Sequence, residues 1–225
     1  MYHSVSETTG IDLGVSTFAT LSDGTVYQLP YSLKKAKIKL GKLQYRNRNK
    51  QLGKRKVGIK ASKNARKFYR KLAKQHADIA NRRRDLLQKT TTEISKKYAH
   101  IFIEDLNISG MAANHKLAAS ILDSGLYEFR RELIYKSPIY GTVVEVVDRW
   151  YPSSKTCSKC GNIQPMPLKE RVFVCEACGN SCHRDLNAAI NLASVSRDRV
   201  RMASPELTPD QEKEPTPYAD TGSNF

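Results

Sequence analysis

The sequence of 225 residues contains no long apolar run and has no cysteine before residue 157. A membrane-spanning helix needs about 18 or more consecutive apolar residues, so we predict no transmembrane segment. The first ten residues have neither a basic nor an apolar region, and we expect no secretory signal peptide. All five cysteines lie between residues 157 and 182, whereas the cysteines of a disulfide framework are spread along the chain. This clustering favours metal binding in a cytoplasmic protein.

Acidic residues are scarce in one part of the chain. Residues 33–98 contain 24 Lys or Arg and only three acids, Asp78, Asp85 and Glu93, whereas the rest of the chain has 14 Lys or Arg and 19 acids. The net charge of +16 therefore comes from one basic segment attached to a mildly acidic body. Three acids form too few ion pairs to relieve the repulsion within a helix. We predict that this segment contacts nucleic acid, the alternative being a solvated helix surface.

Apolar residues in the basic segment recur at three- and four-residue steps, which is typical of helices. The pattern predicts one continuous helix over 62–98, about 55 Å long at about 1.5 Å per residue. An earlier helix is predicted over 33–51 with Ser32 as its N-cap. Residues 53–61 include two glycines and indicate a turn. The expected product is a long antiparallel helical hairpin with one apolar stripe and basic outer faces.

An apolar, β-branched segment near the start of the chain predicts the first strand. Residues 10–21 are followed by a glycine-containing turn at 22–24 and by residues 25–27, a pattern typical of a β-hairpin. Asp12 lies inside this strand between apolar neighbours. Burying a carboxylate there is costly unless something compensates its charge.

Two later apolar segments also predict strands that carry acids. Residues 101–106 end in Glu104 and Asp105, and residues 142–147 are apolar except for Glu145. The second of these suits a central strand that helices cover on both faces. Because strands and helices alternate along the chain, the fold class is predicted to be α/β with a mixed sheet.

Carboxylates that converge at one sheet edge would form a site for hard divalent cations such as Mg²⁺. Two such ions about 3.5–4 Å apart stabilise the attacking and leaving oxygens of phosphodiester cleavage. Asp12 and Glu104 are candidate ligands, and a third must come from a later element. Asp185 opens the helical run 185–192 and is a candidate. The alternative is that Asp185 is simply the N-cap of that helix.

Two CxxCG units predict a structural zinc ribbon, because each tight turn can direct two thiolates at one tetrahedral ion. The four predicted ligands are Cys157, Cys160, Cys175 and Cys178. Residues 171–174 between the units indicate a short ribbon strand. Cys182 and His183 are further candidates, but four cysteines already complete the coordination, so we interpret them as a spare thiol and a surface imidazole.

Together these segments resemble the TnpB (OrfB) family of proteins of bacterial insertion sequences, which are transposon-encoded, RNA-guided DNA endonucleases. The resemblance covers about residues 9–195, with the motifs in one fixed order. The segments that carry it are GIDLGVSTFATLSDG (10–24), SKNARKFYRKLAKQHADIANRRRDLLQK (62–89), IFIEDLNISGM (101–111), YPSSKTCSKCGN (151–162) and FVCEACGNSCHRDLNAAINLA (173–193).

The resemblance implies a RuvC-type, RNase H-like nuclease that hydrolyses DNA phosphodiesters with Mg²⁺ or Mn²⁺. Asp12, Glu104 and Asp185 would be the catalytic, metal-binding acids, and Asp105 would be a neighbour rather than a ligand. The implied partners are DNA and a guide RNA, with the basic helices holding their backbones. The implied location is the bacterial cytoplasm, in association with the nucleoid.

The resemblance also divides the chain into parts. The nuclease core would span 9–150 and include the basic helical hairpin 33–98. The zinc ribbon would span 151–182, and the last helix of the core 183–202. The acidic, proline-containing segment 203–225 has little to bury and is expected to be disordered.

Two departures from the family pattern keep other hypotheses open. The family's N-terminal region, which grips the guide RNA and the target-adjacent motif, is expected to be lost or supplied by another polypeptide. His183 stands where the family often has an acid. A catalytically silent nucleic-acid-binding remnant or regulator is therefore an alternative. A strand-transfer enzyme is a third hypothesis, because RNase H-like transposases also use three acids.

Overall fold

A six-stranded mixed sheet forms the centre of the fold in the computed structural model. Its three middle strands run parallel, and antiparallel strands extend both edges. The spatial order β3-β2-β1-β4-β5-β8 is built from β1 (Thr8–Leu13), β2 (Ala19–Leu21), β3 (Val26–Tyr27), β4 (His100–Glu104), β5 (Val143–Val147) and β8 (Val200–Met202). The structure describes residues 8–29, 31–53, 58–113, 118, 121, 124–167, 169–195 and 200–202.

The sequence prediction of a single strand over 10–21 is wrong, because the chain reverses within it. Strand β1 ends at Leu13, and the Gly14 N–H donates to the Phe18 carbonyl oxygen across 3.2 Å to close a turn. Phe18 is buried and its ring packs edge-on against Phe129. The predicted turn at 22–24 is confirmed, and it joins β2 to β3.

Two helices form the predicted antiparallel hairpin. The long helix α2 (Lys63–Lys97) is capped by Ser62, whose side chain accepts from the Ala65 N–H, so the predicted helix 62–98 is confirmed. Ile79 packs against Leu33 near the beginning of the first helix. The Tyr69 hydroxyl donates to a backbone carbonyl beyond the end of that helix, which fixes the antiparallel direction.

The bounds of the first helix differ from the prediction. Helix α1 runs over Tyr31–Arg46 instead of 33–51, so Ser32 lies inside it and is not its N-cap. The Asn47 side-chain amide donates to the Leu43 carbonyl oxygen. An asparagine that satisfies a late helix carbonyl in this way competes with continuation of the helix. The turn predicted at 53–61 lies partly outside the described residues.

Helices cover both faces of the sheet. The second half of α2 and helix α4 (Leu126–Tyr140) bury Leu87, Ile94 and Phe129 against the strands. The opposite face holds helix α5 (Arg184–Ala193), which packs mainly on β1. A short helix, α3 (Ile108–Ala112), follows β4.

The last part of the core is not one helix over 183–202, as the sequence predicted. Helix α5 ends at Ala193, and Val200–Met202 form β8, which pairs antiparallel with β5. Backbone hydrogen bonding to an otherwise open edge of β5 favours this strand. Strand β5 therefore lies inside the sheet, as predicted. The segment 203–225, predicted to be disordered, lies outside the described residues.

A small second sheet belongs to the cysteine-containing segment. Strands β6 (Val172–Val174) and β7 (Ser181–His183) pair antiparallel, and β6 matches the predicted ribbon strand. The buried ring of Phe173 packs with Cys157 and Cys175. No described helix is both long and apolar enough to cross a membrane.

Candidate active site and cysteine cluster

The three predicted acids come from elements that meet at one edge of the sheet. Strands β1 and β4 are parallel neighbours in which Ile11 pairs with Ile103, so the next residues, Asp12 and Glu104, lie side by side at the carboxyl ends. Asp185 lies in the first turn of α5, the helix that packs on β1. The fold thus brings Asp12, Glu104 and Asp185 together, and we refer to these three residues as the acidic group.

The pKa values of Asp12 and Glu104 are both raised above their ordinary values. Burial raises the pKa of Asp12 well above its ordinary value, and the charges of Glu104 and Asp185 raise it further. Burial also raises the pKa of Glu104, although a hydrogen bond from Ser153 and the charge of Arg184 oppose the shift. Carboxylates that repel one another in a buried place favour either a proton or a bound cation. The oxygens of the three carboxylates do not meet the 4.8 Å mutual-distance test for a metal site in the described structure.

The sequence reasoning missed two residues, Ser153 and Arg184, that lie beside this group. The buried Ser153 hydroxyl donates to Glu104 Oε1 across 2.5 Å. Arg184 lies near enough to lower the pKa values of Asp12 and Glu104, and its Nη1 donates to the Pro167 carbonyl oxygen at 3.2 Å. The one sequence feature that could have indicated that Arg184 lies near the acids is that it directly precedes Asp185.

Asp105 is held apart from the acidic group by two arginines. Its Oδ1 accepts from Arg130 Nη1 at 2.7 Å, and its Oδ2 accepts from Arg149 Nη2 at 2.8 Å. Burial acts to raise the pKa of Asp105, but the two guanidinium groups outweigh it and lower the pKa. Both oxygens therefore have cationic partners.

The alternative interpretation of Asp185 as an N-cap is wrong. The N-cap of α5 is His183, whose Nδ1 accepts from the Asp185 backbone N–H at 3.3 Å. The Asp185 carboxylate is therefore not needed to cap the helix. His183 is a capping residue rather than the uninvolved surface imidazole that the sequence suggested.

The four predicted ribbon cysteines lie together. Their Sγ atoms are all within 4.8 Å of one another. The Cys157–Cys178 and Cys160–Cys175 sulfur distances are 3.7 Å and 3.6 Å. Sulfurs bound to one tetrahedral Zn²⁺ at about 2.3 Å would lie about 3.8 Å apart. The cluster can therefore hold a tetrahedral metal ion, and among the described residues it is the one His, Cys or carboxylate group that meets this distance test.

The two CxxCG units have the same backbone geometry. The Gly161 N–H donates to the Cys157 carbonyl oxygen and the Gly179 N–H to the Cys175 carbonyl oxygen, both at 2.9 Å. Both glycines have positive φ, 76° and 70°, a conformation that side chains disfavour. Burial alone would raise the pKa of Cys157, but nearby backbone N–H groups and thiols lower it to about 6. The Asn162 backbone acts to lower the pKa of Cys160, but burial and hydrogen bonds with the other three thiols raise it to about 12. A metal bound by all four sulfurs would therefore displace protons from the cluster.

Cys182 stands beside this cluster and outside it. Its half-buried sulfur is 3.8 Å from Asn187 Oδ1 and 3.9 Å from Asn180 Nδ2. Burial raises the pKa of the Cys182 thiol, and the neighbouring Cys157 adds to the rise. These surroundings favour a protonated thiol over a metal ligand.

Two asparagines on α5 join the cysteine segment to the helix that packs on the main sheet, and the sequence reasoning missed both. Asn187 Nδ2 donates to the Thr156 carbonyl oxygen at 2.6 Å, and its Oδ1 accepts from the Ser158 N–H at 3.0 Å. Asn191 Nδ2 donates to the same Thr156 oxygen and to the Ser153 carbonyl oxygen. The sequence feature that could have indicated this role is their spacing of four residues, which places both amides on one face of the helix. The first turn of α5 and the cysteine cluster are thereby held in one hydrogen-bonded unit.

The helical hairpin presents a strongly basic surface. Two of the three acids in 33–98 are used in exposed i,i+4 pairs, Asp78 with Arg82 and Asp85 with Lys89. The third, Glu93, contacts the Tyr27 hydroxyl. The acids within the segment therefore neutralise few of its cations, which suits contact with a polyanion.

This fold is shared with a solved nucleic-acid complex. A chain of the "Cryo-EM structure of the Cas12f1-sgRNA-target DNA complex" superimposes with a TM-score of 0.57 at 19% identity, over 83% of this chain and 49% of that chain. The mixed α/β sheet, with a helical hairpin between its strands and a four-cysteine segment, is the architecture that the sequence predicted. The predicted fold class is confirmed.

The sequence matches two family models. Residues 3–115 match the OrfB_IS605 family, described as "Probable transposase". Residues 127–192 match the "Cas12f1-like, TNB domain". The chain belongs to the OrfB (TnpB-type) transposase family, as its motifs predicted.

Curated relatives cover most of this chain. A "Putative RNA-guided DNA endonuclease" of Streptomyces pristinaespiralis is 37% identical over 199 residues, which are 85% of this chain and 47% of that protein. The Escherichia coli K12 protein "Putative RNA-guided DNA endonuclease InsQ" is 38% identical over 209 residues, with 86% and 50% coverage. The chain spans about half the length of these relatives.

Proposed function

We propose that this chain hydrolyses DNA phosphodiesters in a divalent-metal-dependent reaction, as an RNA-guided endonuclease of its family. The observation that carries the proposal is the meeting of Asp12, Glu104 and Asp185 at the carboxyl edge of the sheet, where the charges of Glu104 and Asp185 act on the buried Asp12. A buried group of like charges is costly unless a cation binds it. The names of the relatives, all concerned with DNA cleavage, support the same assignment.

Mg²⁺ or Mn²⁺ held by the three acids would supply charge stabilisation for the attacking and leaving oxygens. The protein's own contribution is to position the ligands. Ser153 fixes one oxygen of Glu104 by its short hydrogen bond. Arg184 supplies a positive charge beside Asp12 and Glu104, where it can stabilise negative charge that develops on a phosphate.

A structural Zn²⁺ in the four-cysteine cluster is the second part of the proposal. Four thiolates leave no open coordination position, so the ion would stabilise the fold rather than react. Its effect would reach the active site through Asn187 and Asn191, which join the cluster to α5. We propose a ribbon at 151–182 inserted into a nuclease core, with the rest of the described chain forming that core.

We propose that the hairpin of α1 and α2 holds nucleic-acid backbone, with a guide RNA and target DNA as its partners. The support is the excess of 24 basic residues over three acids in 33–98. The spacing of cations along a 35-residue helix suits a repeating phosphate backbone.

The decisive test is cleavage by the purified protein with Mg²⁺, single-stranded DNA and a transposon-derived RNA. We expect cutting by the wild type and its loss in Asp12→Asn. Glu176→Gln is the matched control, since it removes one exposed carboxylate outside the acidic group. Nucleic-acid binding of equal strength in wild type and Asp12→Asn, with no cutting by either, would support a binding protein without chemistry. Joined rather than cut products would indicate strand transfer.

A further inference from the structure

The loop after β5 contains Trp150, the single tryptophan of the chain. Its side chain is 83% exposed. Isolated exposed apolar residues are common on protein surfaces, so the exposure alone assigns no role. The position of the loop is what makes this residue informative.

The backbone around Trp150 is held in a fixed turn. The Trp150 N–H donates to Asp148 Oδ1 at 2.7 Å. The Tyr151 N–H donates to the Asp148 carbonyl oxygen at 3.0 Å, and the Ser153 N–H to the Tyr151 carbonyl oxygen at 2.8 Å. A large exposed ring on an ordered turn loses little conformational freedom when it binds a partner.

Two side chains join this loop to the candidate active site, one on each side of Trp150. Arg149 Nη2 donates to Asp105 Oδ2 at 2.8 Å, and Ser153 Oγ donates to Glu104 Oε1 at 2.5 Å. Asp105 and Glu104 are consecutive residues at the end of β4. Trp150 therefore lies on a loop fixed directly beside the acidic group.

Two guanidinium groups lie beside this loop. Asp105 is shared by Arg130 and Arg149, and with Asp148 next to Trp150 these four groups have a formal charge of zero, so the two arginines are the cations available to a partner. Exposed aromatic rings beside cations are the usual platform on which proteins stack the bases of single strands. Bases within a duplex are already stacked, so the surface favours an unpaired strand.

We propose that Trp150 stacks on a base of the single-stranded DNA that enters the active site, and so positions the strand for cleavage. This rests on the proposed nuclease function, because it takes the acidic group to be the place where DNA is cut. Stacking does not require the metal, and it can be measured in the absence of cleavage.

The intrinsic fluorescence of the protein reports directly on this contact, because Trp150 is its one tryptophan. The intact protein, with no divalent cation added, is titrated with a short oligothymidylate and with an abasic deoxyribose-phosphate oligomer of equal length. Anisotropy of a dye on each oligomer confirms saturation. We expect strong quenching by the oligothymidylate and little by the abasic oligomer. Equal quenching by both, or none by either at saturation, would overturn the proposal.

Variants separate stacking from general binding. Trp150→Ala should weaken oligothymidylate binding about 5- to 100-fold, whereas Trp150→Phe should retain most of it. The matched control is Tyr135→Ala, which removes an exposed aromatic side chain of α4. Equal effects of Trp150→Ala and Tyr135→Ala would contradict the proposal, with circular dichroism confirming that each variant is folded.

The two proposals fail in different ways. Quenching without any cleavage after Mg²⁺ is added would reject the nuclease and retain the stacking site. Cleavage by Trp150→Ala with wild-type affinity and rate would reject the stacking site and retain the nuclease. Stronger quenching by oligouridylate than by oligothymidylate would show that the ring serves RNA, and would overturn the assignment to the DNA strand.

Discussion

Gly10 of β1 lies directly against the backbone of Ala189 in α5, so closely that a Cβ on Gly10 would come within 2.1 Å of the Ala189 carbonyl oxygen. It would also meet the Ala193 nitrogen at 2.5 Å. Both obstacles are backbone atoms, which cannot rotate away as a side chain would. The contact sets the distance between the strand that carries Asp12 and the helix that carries Asp185.

The variant Gly10→Ala should therefore separate α5 from the sheet. Overpacking of this kind costs about 1–3 kcal/mol or more, and we expect a lower melting temperature and a large loss of DNA cleavage. Gly41→Ala is the control, because a Cβ on this residue of α1 meets nothing within 4 Å and alanine favours a helix by about 1 kcal/mol. Equal destabilisation by both variants would contradict the close contact.

The acidic group should destabilise the metal-free protein at neutral pH. The pKa of Asp12 is raised on folding above 3.8, so the folded state binds the additional proton. The contribution of Asp12 to the free energy of unfolding is fully present below the pKa that Asp12 has in the unfolded chain. This contribution is lost as pH rises through the pKa that Asp12 has in the folded protein. Asp12→Asn removes the buried charge, and it should therefore raise the free energy of unfolding at neutral pH.

Chemical denaturation at pH 8 and pH 5 with no divalent cation added tests this expectation. The gain from Asp12→Asn should be larger at pH 8, and added Mg²⁺ should stabilise the wild type more than the variant. Asp85→Asn, which removes an exposed acid paired with Lys89, should change stability by less than about 1 kcal/mol. A loss of stability in Asp12→Asn at pH 8 would show that the group is not strained.

The long helix and the cysteine cluster depend on neighbouring residues in the sequence, and both were predicted correctly. The helix 63–97 follows from its cap and its apolar spacing, and the cysteine cluster follows from two CxxCG units. The break after Leu13 was missed because β-branched and aromatic residues, Val15, Thr17 and Phe18, continue the strand-like composition beyond it. Strand β8 was missed because it forms by pairing with β5, a partner about fifty residues away, which local propensity does not record.

The candidate site was predicted in part for the same reason. Asp12 attracted notice as a charge within an apolar strand and Glu104 as an acid at the end of a strand, whereas the family resemblance was needed to favour Asp185 as a ligand over its N-cap alternative. Ser153 and Arg184 reach the acids only through folding of the loop and the helix. Neither residue type is unusual where it stands in the sequence, so a pattern search could not select them.

The basic hairpin should bind nucleic acid through its phosphates. Lys67, Arg70 and Lys71 are exposed on α2. Replacing all three with Gln should weaken binding of unrelated DNA sequences alike, and should reduce the slope of log affinity against log salt by about 0.7–0.9 for each phosphate that is no longer neutralised. Filter binding over a range of salt concentrations measures both quantities. Arg70→Lys keeps the charge and should leave the slope unchanged, and an altered sequence preference would contradict a role in binding the backbone.

Loss of the metal cluster should reach the active site through α5. Cys175→Ser removes one of the four sulfurs that lie within 4.8 Å of one another, and a structural zinc site with three ligands loses much of its affinity. Because Asn187 and Asn191 join the cluster segment to α5, we expect faster hydrogen exchange in α5 as well as in 157–180. Cys182→Ser is the control and should retain bound zinc, as measured by metal analysis. If Cys175→Ser loses zinc while exchange in α5 and cleavage are unchanged, the asparagine hydrogen bonds do not couple the cluster to Asp185.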